Sequence, residues 1–163
     1  MKLYFVRHGR TVWNLEGRFQ GAGGDSPLLE ESIETLKKLG KYLQEIPFDV
    51  IYSSDLPRAV TSAQIIQSQL KDSCPLKETP SLREWQLGKL EGEKFATLKA
   101  IYPEQMNALR SNLAKFDSTM FGAESVYQTT QRTIHFVKSL QNQNFDHVLI
   151  VGHGANLTAS IQS

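Results

Sequence analysis

The chain of 163 residues contains a single cysteine, Cys74, so no disulfide can form within it. That excludes a disulfide-stapled secreted scaffold, suits a reducing compartment and makes the cytoplasm the expected location. Cys74 precedes Pro75 with no activating neighbour and reads as an inert or surface thiol. Net charge is nearly absent as well: 18 basic and 17 acidic side chains leave +1. No global field would draw in nucleic acid or an anionic membrane, neither is expected as a partner, and an anion site has to be built locally. Long apolar runs are missing too. The N-terminal run, Leu3 to Val6, has only four residues and no small-residue cleavage site after it, so it is not a signal peptide. Nothing approaches the roughly 18 apolar residues of a membrane span. Repeats, low-complexity tracts and linkers are absent.

What is present is an ordinary globular balance, 40% apolar and 21% charged, in a length that suits one domain, residues 1–163. Leu3-Tyr4-Phe5-Val6 predicts a strand buried on both faces. Gly9 to Ser26 holds five glycines and no apolar periodicity, and reads as an ordered loop. From Pro27 a helical pattern runs through Leu29, Ile33, Leu36, Leu43 and Ile46 until Pro47 stops it. Phe48 to Ser53 predicts a second strand. Ser54 and Asp55 read as the start of a helix that buries Ala59, Ala63, Ile66 and Leu70. A short strand is placed near Leu76-Lys77, helical stretches at 93–101 and 103–115, and an amphipathic helix at 124–141. Val148 to Val151 is another fully apolar strand, and Ala155 to Ile161 start a helix. This alternation predicts an α/β fold, a three-layer α/β/α sandwich on a mostly parallel central sheet, with ligands beyond the carboxyl ends of the strands.

Two apolar strands end alike, LYFV in Arg7-His8-Gly9 and VLIV in Gly152-His153-Gly154. If both are parallel and central, both histidines emerge at one sheet edge, with glycines that let a ligand approach the backbone. Arg58, in the first turn of the helix after the second strand, belongs on the same side. A guanidinium there can fork onto phosphate oxygens, next to a helix N-terminus that favours an anion. Each residue alone also has a plain structural reading, as a strand end or a solvated surface charge.

Arg7-His8-Gly9-Arg10-Thr11-Val12-Trp13-Asn14, Gly17-Arg18-Phe19-Gln20-Gly21, Tyr52 to Ala59, Leu82-Arg83-Glu84 with Gly88-Lys89-Leu90-Glu91-Gly92, Gly122 to Ser125 and Gly152-His153-Gly154 run in order along nearly the whole chain. Together they resemble the histidine phosphatase superfamily, with its phosphoglycerate mutase-like fold. The resemblance implies catalytic roles for His8, Glu84, His153, Arg7 and Arg58. His8 would be the nucleophile, forming a phosphohistidine, with its second ring nitrogen held by a backbone carbonyl. Arg7, Arg58 and His153 would surround the phosphoryl group, a donor set that supplies transition-state stabilisation without metal or cofactor. Glu84 would be the general acid and then the base. Asn14, Gln20, Gly21 and Gly154 would join Arg7, Arg58 and His153 in binding substrate, a small phosphorylated molecule. Glu124 and Ser125 either cap a helix or lie near the pocket, and His135 and His147 carry no catalytic role.

The acid loop, Glu84-Trp85-Gln86-Leu87-Gly88, is similar to the phosphatase branch, whereas cofactor-dependent phosphoglycerate mutases resemble one another in Glu-Arg-His-Tyr-Gly. The expectation is a metal-independent phosphomonoesterase. The alternatives are a mutase, a non-catalytic relative that binds phosphorylated partners, and a metal hydrolase using His8, His153 and carboxylates. Arg10 stands where this family often has an acidic residue or glutamine, and would favour acidic substrates if it faces the pocket mouth. The chain stops ten residues after His153, where members of the family usually continue through a helix and further strands. Oligomeric state is not set by the pattern, a dimer being one state it allows.

Overall fold

The computed structural model describes residues 1–154. The helix expected at 155–161 lies outside them. The strands are β1 (Lys2–Arg7), β2 (Val50–Ser54), β3 (Leu76–Thr79) and β4 (His147–Gly152). They form one sheet in the order β1-β4-β2-β3, and every pairing is parallel. The helices are α1 (Val12–Leu15), α2 (Glu30–Tyr42), α3 (Pro57–Gln67), α4 (Phe95–Ile101), α5 (Pro103–Ser111) and α6 (Val126–Leu140).

The two-residue period of the interior strands divides the core into layers. Ile51, Leu149 and Val151 face α2 and α3, where they pack with Leu36, Leu43, Ala63 and Ile66. Val50, Val148 and Ile150 face the other way, onto Leu140, Phe136 and Val137 of α6. Because both faces of β2 and β4 are covered, their sequences read as continuous apolar runs rather than alternations. A separate cluster of Trp85, Leu87, Leu90, Leu98, Met106 and Phe121 holds the long excursion between β3 and α6. Among the described residues no helix is long and apolar enough to cross a membrane.

The structure corrects several expectations. β1 is not buried on both faces and is not central. It is the outer strand of the described sheet, and Phe5 is 39% exposed. Four apolar residues are too short a run to tell an edge strand from an inner one. Helix α2 starts at Glu30 rather than Pro27, because Thr11 and Leu28 form an antiparallel bridge and the Pro27 carbonyl accepts from Val12 N. Ser54 and Asp55 do not cap α3: Leu56 is its N-cap and Pro57 its first residue. Asp55 instead makes a paired hydrogen bond with Arg83, 2.7 Å at each oxygen. Cys74 is buried rather than on the surface, and burial pushes its thiol pKa up, as an inert thiol requires. The loop after β1 contains the single turn α1, closed by a capping box between Thr11 and Asn14.

Candidate active site

Register brings the two histidines together. Arg7 of β1 is level with Gly152 of β4, so His8 and His153 leave adjacent parallel strands side by side. His8 N donates to Gly152 O at 2.9 Å, and the two imidazole centroids are 5.1 Å apart. β2 ends on the same edge, where Ser54 Oγ and His153 Nε2 share a 2.8 Å hydrogen bond. Arg58 follows in the first turn of α3. β3 is level with β2 through Thr79, and five residues later its loop delivers Glu84. Parallel strands thus point the chemistry-bearing residues at one edge, as such sheets do.

The site is well shielded from water. His153 is 0% exposed, Arg58 2%, and His8 and Glu84 7% each. His8 Nδ1 lies 2.7 Å from Gly9 O. A carbonyl only accepts, so Nδ1 carries the proton and Nε2 keeps its lone pair. Burial, opposed by this hydrogen bond and reinforced by the Arg58 and Arg7 charges, lowers the His8 pKa from 6.5 to about 4. Burial, then Arg58, His8, Arg7 and Arg132, lower His153 to about 2. Both rings are therefore neutral near pH 7.

Arg58 departs from the expected open fork. Its Nη1 donates to Gly24 O (2.6 Å) and Asp25 Oδ1 (3.0 Å), and its Nη2 to Gln20 O (3.2 Å) and Gly21 O (3.0 Å). The glycine-rich loop wraps its carbonyls around the guanidinium, which leaves Nε as the donor without a hydrogen-bond partner. His153 Nδ1 is likewise buried without one. Arg58 Nε, a buried charged donor without a partner whose charge acts on His8, suits an anionic ligand, since burying it unpaired is costly.

Arg7 is exposed at the rim and packs against Gly154, where an added Cβ would stand 2.9 Å from Arg7 Nε. Gly21 is held by geometry: a Cβ there would meet Trp85 O at 2.2 Å. Asn14 and Gln20 are built into the loop. Asn14 Oδ1 accepts from Thr11 N and Oγ1, while Gln20 binds Thr11 Oγ1 through Nε2 and Ser26 Oγ through Oε1. Ser125 caps α6 in a capping box with Gln128. Glu124 receives Gln86 N and Arg132. Arg10 lines a cleft with Arg7, His8 and Glu31. His135 is exposed on α6 and His147 opens β4 at the opposite sheet edge from His8.

Glu84 Oε1 accepts from Trp85 N at 2.9 Å, and Arg132 Nη2 reaches the carbonyls of Arg83 and Glu84, fixing the loop around the carboxyl. Sequence reasoning gave no role to Arg132, to Asp25, or to Ser62, whose Oγ accepts from Gly9 N and donates to Arg58 O. Nothing local marks these residues, which act from loops and helix faces remote in sequence. Among the described residues no three His, Cys, Asp or Glu side chains stand together as a metal-ligand set.

The family model of the histidine phosphatase superfamily (branch 1) matches residues 3–163, and the chain belongs to that superfamily. Among its relatives is 2,3-bisphosphoglycerate-dependent phosphoglycerate mutase 2 of Gloeobacter violaceus, 30% identical over 96% of this chain and 72% of that one. Among solved structures, Bacillus stearothermophilus YhfR superposes with a TM-score of 0.89 at 31% identity, covering 98% of this chain and 77% of that one. The mycobacterial glucosyl-3-phosphoglycerate phosphatase, in its complex with VO3, does so with 0.86 at 26% identity, covering 98% and 79%.

Proposed function

We propose that the protein is a metal-independent phosphatase that hydrolyses small phosphomonoesters through a phosphohistidine on His8. The observation that carries this reading is the 2.7 Å contact of His8 Nδ1 with Gly9 O, which puts the proton on Nδ1 and leaves the Nε2 lone pair available as a nucleophile. Substrate phosphate lies between His8, His153, Arg7 and Arg58. The Nε2 lone pair attacks phosphorus while the ester P–O bond breaks, and Glu84 gives its proton to the leaving alkoxide. The Glu84 carboxylate then takes a proton from water as the water oxygen attacks phosphorus. The P–N bond breaks, its electrons return to Nε2, and neutral His8 and inorganic phosphate result. Charge on the equatorial oxygens is met by Arg7 at the rim, Arg58 Nε and His153, with the Asn14–Gln20 loop shaping the wall and Gly154 giving Arg7 its room.

A second reading has specific support, because relatives of similar identity are phosphoglycerate mutases. In that case the phosphohistidine returns its phosphoryl group to a phosphoglycerate instead of to water. The acid loop Glu84-Trp85-Gln86-Leu87-Gly88 favours hydrolysis.

Hydrolysis of p-nitrophenyl phosphate by wild type and His8→Ala decides the first claim. The expected result is turnover by wild type alone, unaffected by chelator, with acid-labile, base-stable phosphate trapped on the protein. Equal turnover by both proteins would refute the phosphohistidine, and loss of activity with chelator the metal-free mechanism. Supplying 3-phosphoglycerate with bisphosphoglycerate separates release of phosphate from isomerisation.

A further inference from the structure

We infer that Glu91 is a positioning residue for this reaction: its carboxylate sets the Arg58 guanidinium through one peptide group and fastens that assembly to the loop bearing Glu84. The inference rests on the roles proposed above for Arg58 and Glu84. Glu91 Oε2 accepts from Gly21 N at 2.8 Å, and Oε1 accepts from Gly23 N at 3.1 Å and Leu87 N at 3.2 Å. Three backbone donors, from two loops about 70 residues apart in sequence, thus converge on one carboxylate.

The Gly21 N–H belongs to the same peptide group as the Gln20 carbonyl, and that carbonyl accepts from Arg58 Nη2. One peptide plane therefore lies between an anion at its N–H and a cation at its oxygen. Its dipole is aligned with both, so each hydrogen bond polarises the other. The next carbonyl, Gly21 O, binds the same Nη2. The far end of the assembly is equally fixed. Ala22 N donates to Trp85 O, and the Leu87 N–H that binds Glu91 is three residues from Glu84. The close approach leaves no room for a side chain at residue 21, where a Cβ would meet Glu91 Oε1 at 2.5 Å. The result is one rigid unit holding both the anion donor and the acid at fixed separation, the kind of preorganisation that a shift of about 1 Å would degrade about 10²-fold.

The test compares wild type, Glu91→Gln, Glu91→Asp and His8→Ala. Glutamine offers one acceptor and an NH2 group to three converging N–H donors, so one donor must face another. For p-nitrophenyl phosphate the expectation for Glu91→Gln is a kcat lowered about 10- to 100-fold with KM changed by less than about threefold. The buried Arg58 Nε–H resonance, assigned against Arg58→Lys, should move in the 1H–15N spectrum of the same variant. A folded Glu91→Gln protein with wild-type kcat, or with an unmoved Arg58 Nε–H signal, overturns the inference. A purely structural role would lower the melting temperature and leave both readouts in place. If Glu91→Gln does not fold, Glu91→Asp decides, since it keeps the charge but withdraws the carboxylate by one methylene. A fall of at least about fivefold in its kcat supports positioning, and an unchanged kcat refutes it. If wild type and His8→Ala are equally inactive, the proposed reaction fails, and the Arg58 Nε–H signal alone decides whether Glu91 sets Arg58.

Discussion

Two buried neutral histidines make the fold sensitive to acid in a window of its own. In the unfolded chain His8 and His153 titrate near about 6.5, whereas in the native site they lie at about 4 and about 2. Both native values are depressed. Between pH 6.5 and 4 the unfolded chain therefore binds two protons that the native chain refuses. Stability is complete above pH 6.5 and falls as pH decreases, by about 1.4 kcal/mol per unit for each ring or about 2.7 for the pair. Acidification to pH 5 removes about 4 kcal/mol, a large share of the roughly 5–15 kcal/mol of an ordinary domain. Three aspartates titrate outside this window. Asp49, Asp55 and Asp117 are held below their usual range by the backbone N–H of His147, by Arg83 and by Thr119, so their stabilisation is lost only below about pH 4. Urea unfolding followed by Trp13 and Trp85 fluorescence at pH 7, 6, 5.5 and 5 measures the slope. His8→Gln should halve it. A wild-type stability that stays flat from pH 6.5 to 5, or an undiminished slope in His8→Gln, would refute the neutral buried pair.

Two further substitutions test the rim of the site. Gly154→Ala puts a methyl group where it would press on the Arg7 guanidinium, 2.9 Å from Nε. The flexible arginine moves aside, so KM for p-nitrophenyl phosphate should rise about tenfold while stability changes by no more than about 0.5 kcal/mol, measured by steady-state kinetics and thermal unfolding. Arg10→Gln removes a cation from the cleft it shares with Arg7 and His8. KM should rise up to about fivefold for 3-phosphoglycerate, which carries a second anionic group, and stay level for p-nitrophenyl phosphate.

The layered fold was legible because β2 and β4 are covered on both faces and their apolar runs, VIY and VLIV, carry that fact in three or four letters. The two histidines were legible as a pair because matching contexts, apolar strand then glycine-flanked histidine, imply matching positions in a parallel sheet. Arg58 was legible as a member of the site but not in its posture. Its charge is met by carbonyls of Gln20, Gly21 and Gly24, and backbone acceptors carry no residue code. Asp25 and Arg132 were illegible for a related reason. Asp25 reaches Arg58 across 33 residues and Arg132 reaches the Glu84 carbonyl across 48, and these pairings depend on loop paths that hydrophobic periodicity does not encode. Phe5 misled because a run of four apolar residues signals a strand without saying on which side neighbours stand.

The sheet order has a consequence in time. In the described sheet β1 pairs with β4 alone, and the two are separated by almost the whole chain. During synthesis β1 therefore waits, unpaired within this sheet, while β2, α3 and β3 can already associate. His8 acquires its backbone partner Gly152 and its neighbour His153 only when the last of these strands has emerged. Contacts of such sequence separation form late and slowly. A nascent chain of this protein thus carries His8 well before His153, and the histidine pair is assembled only when β4 slides between β1 and β2 and closes the ladder.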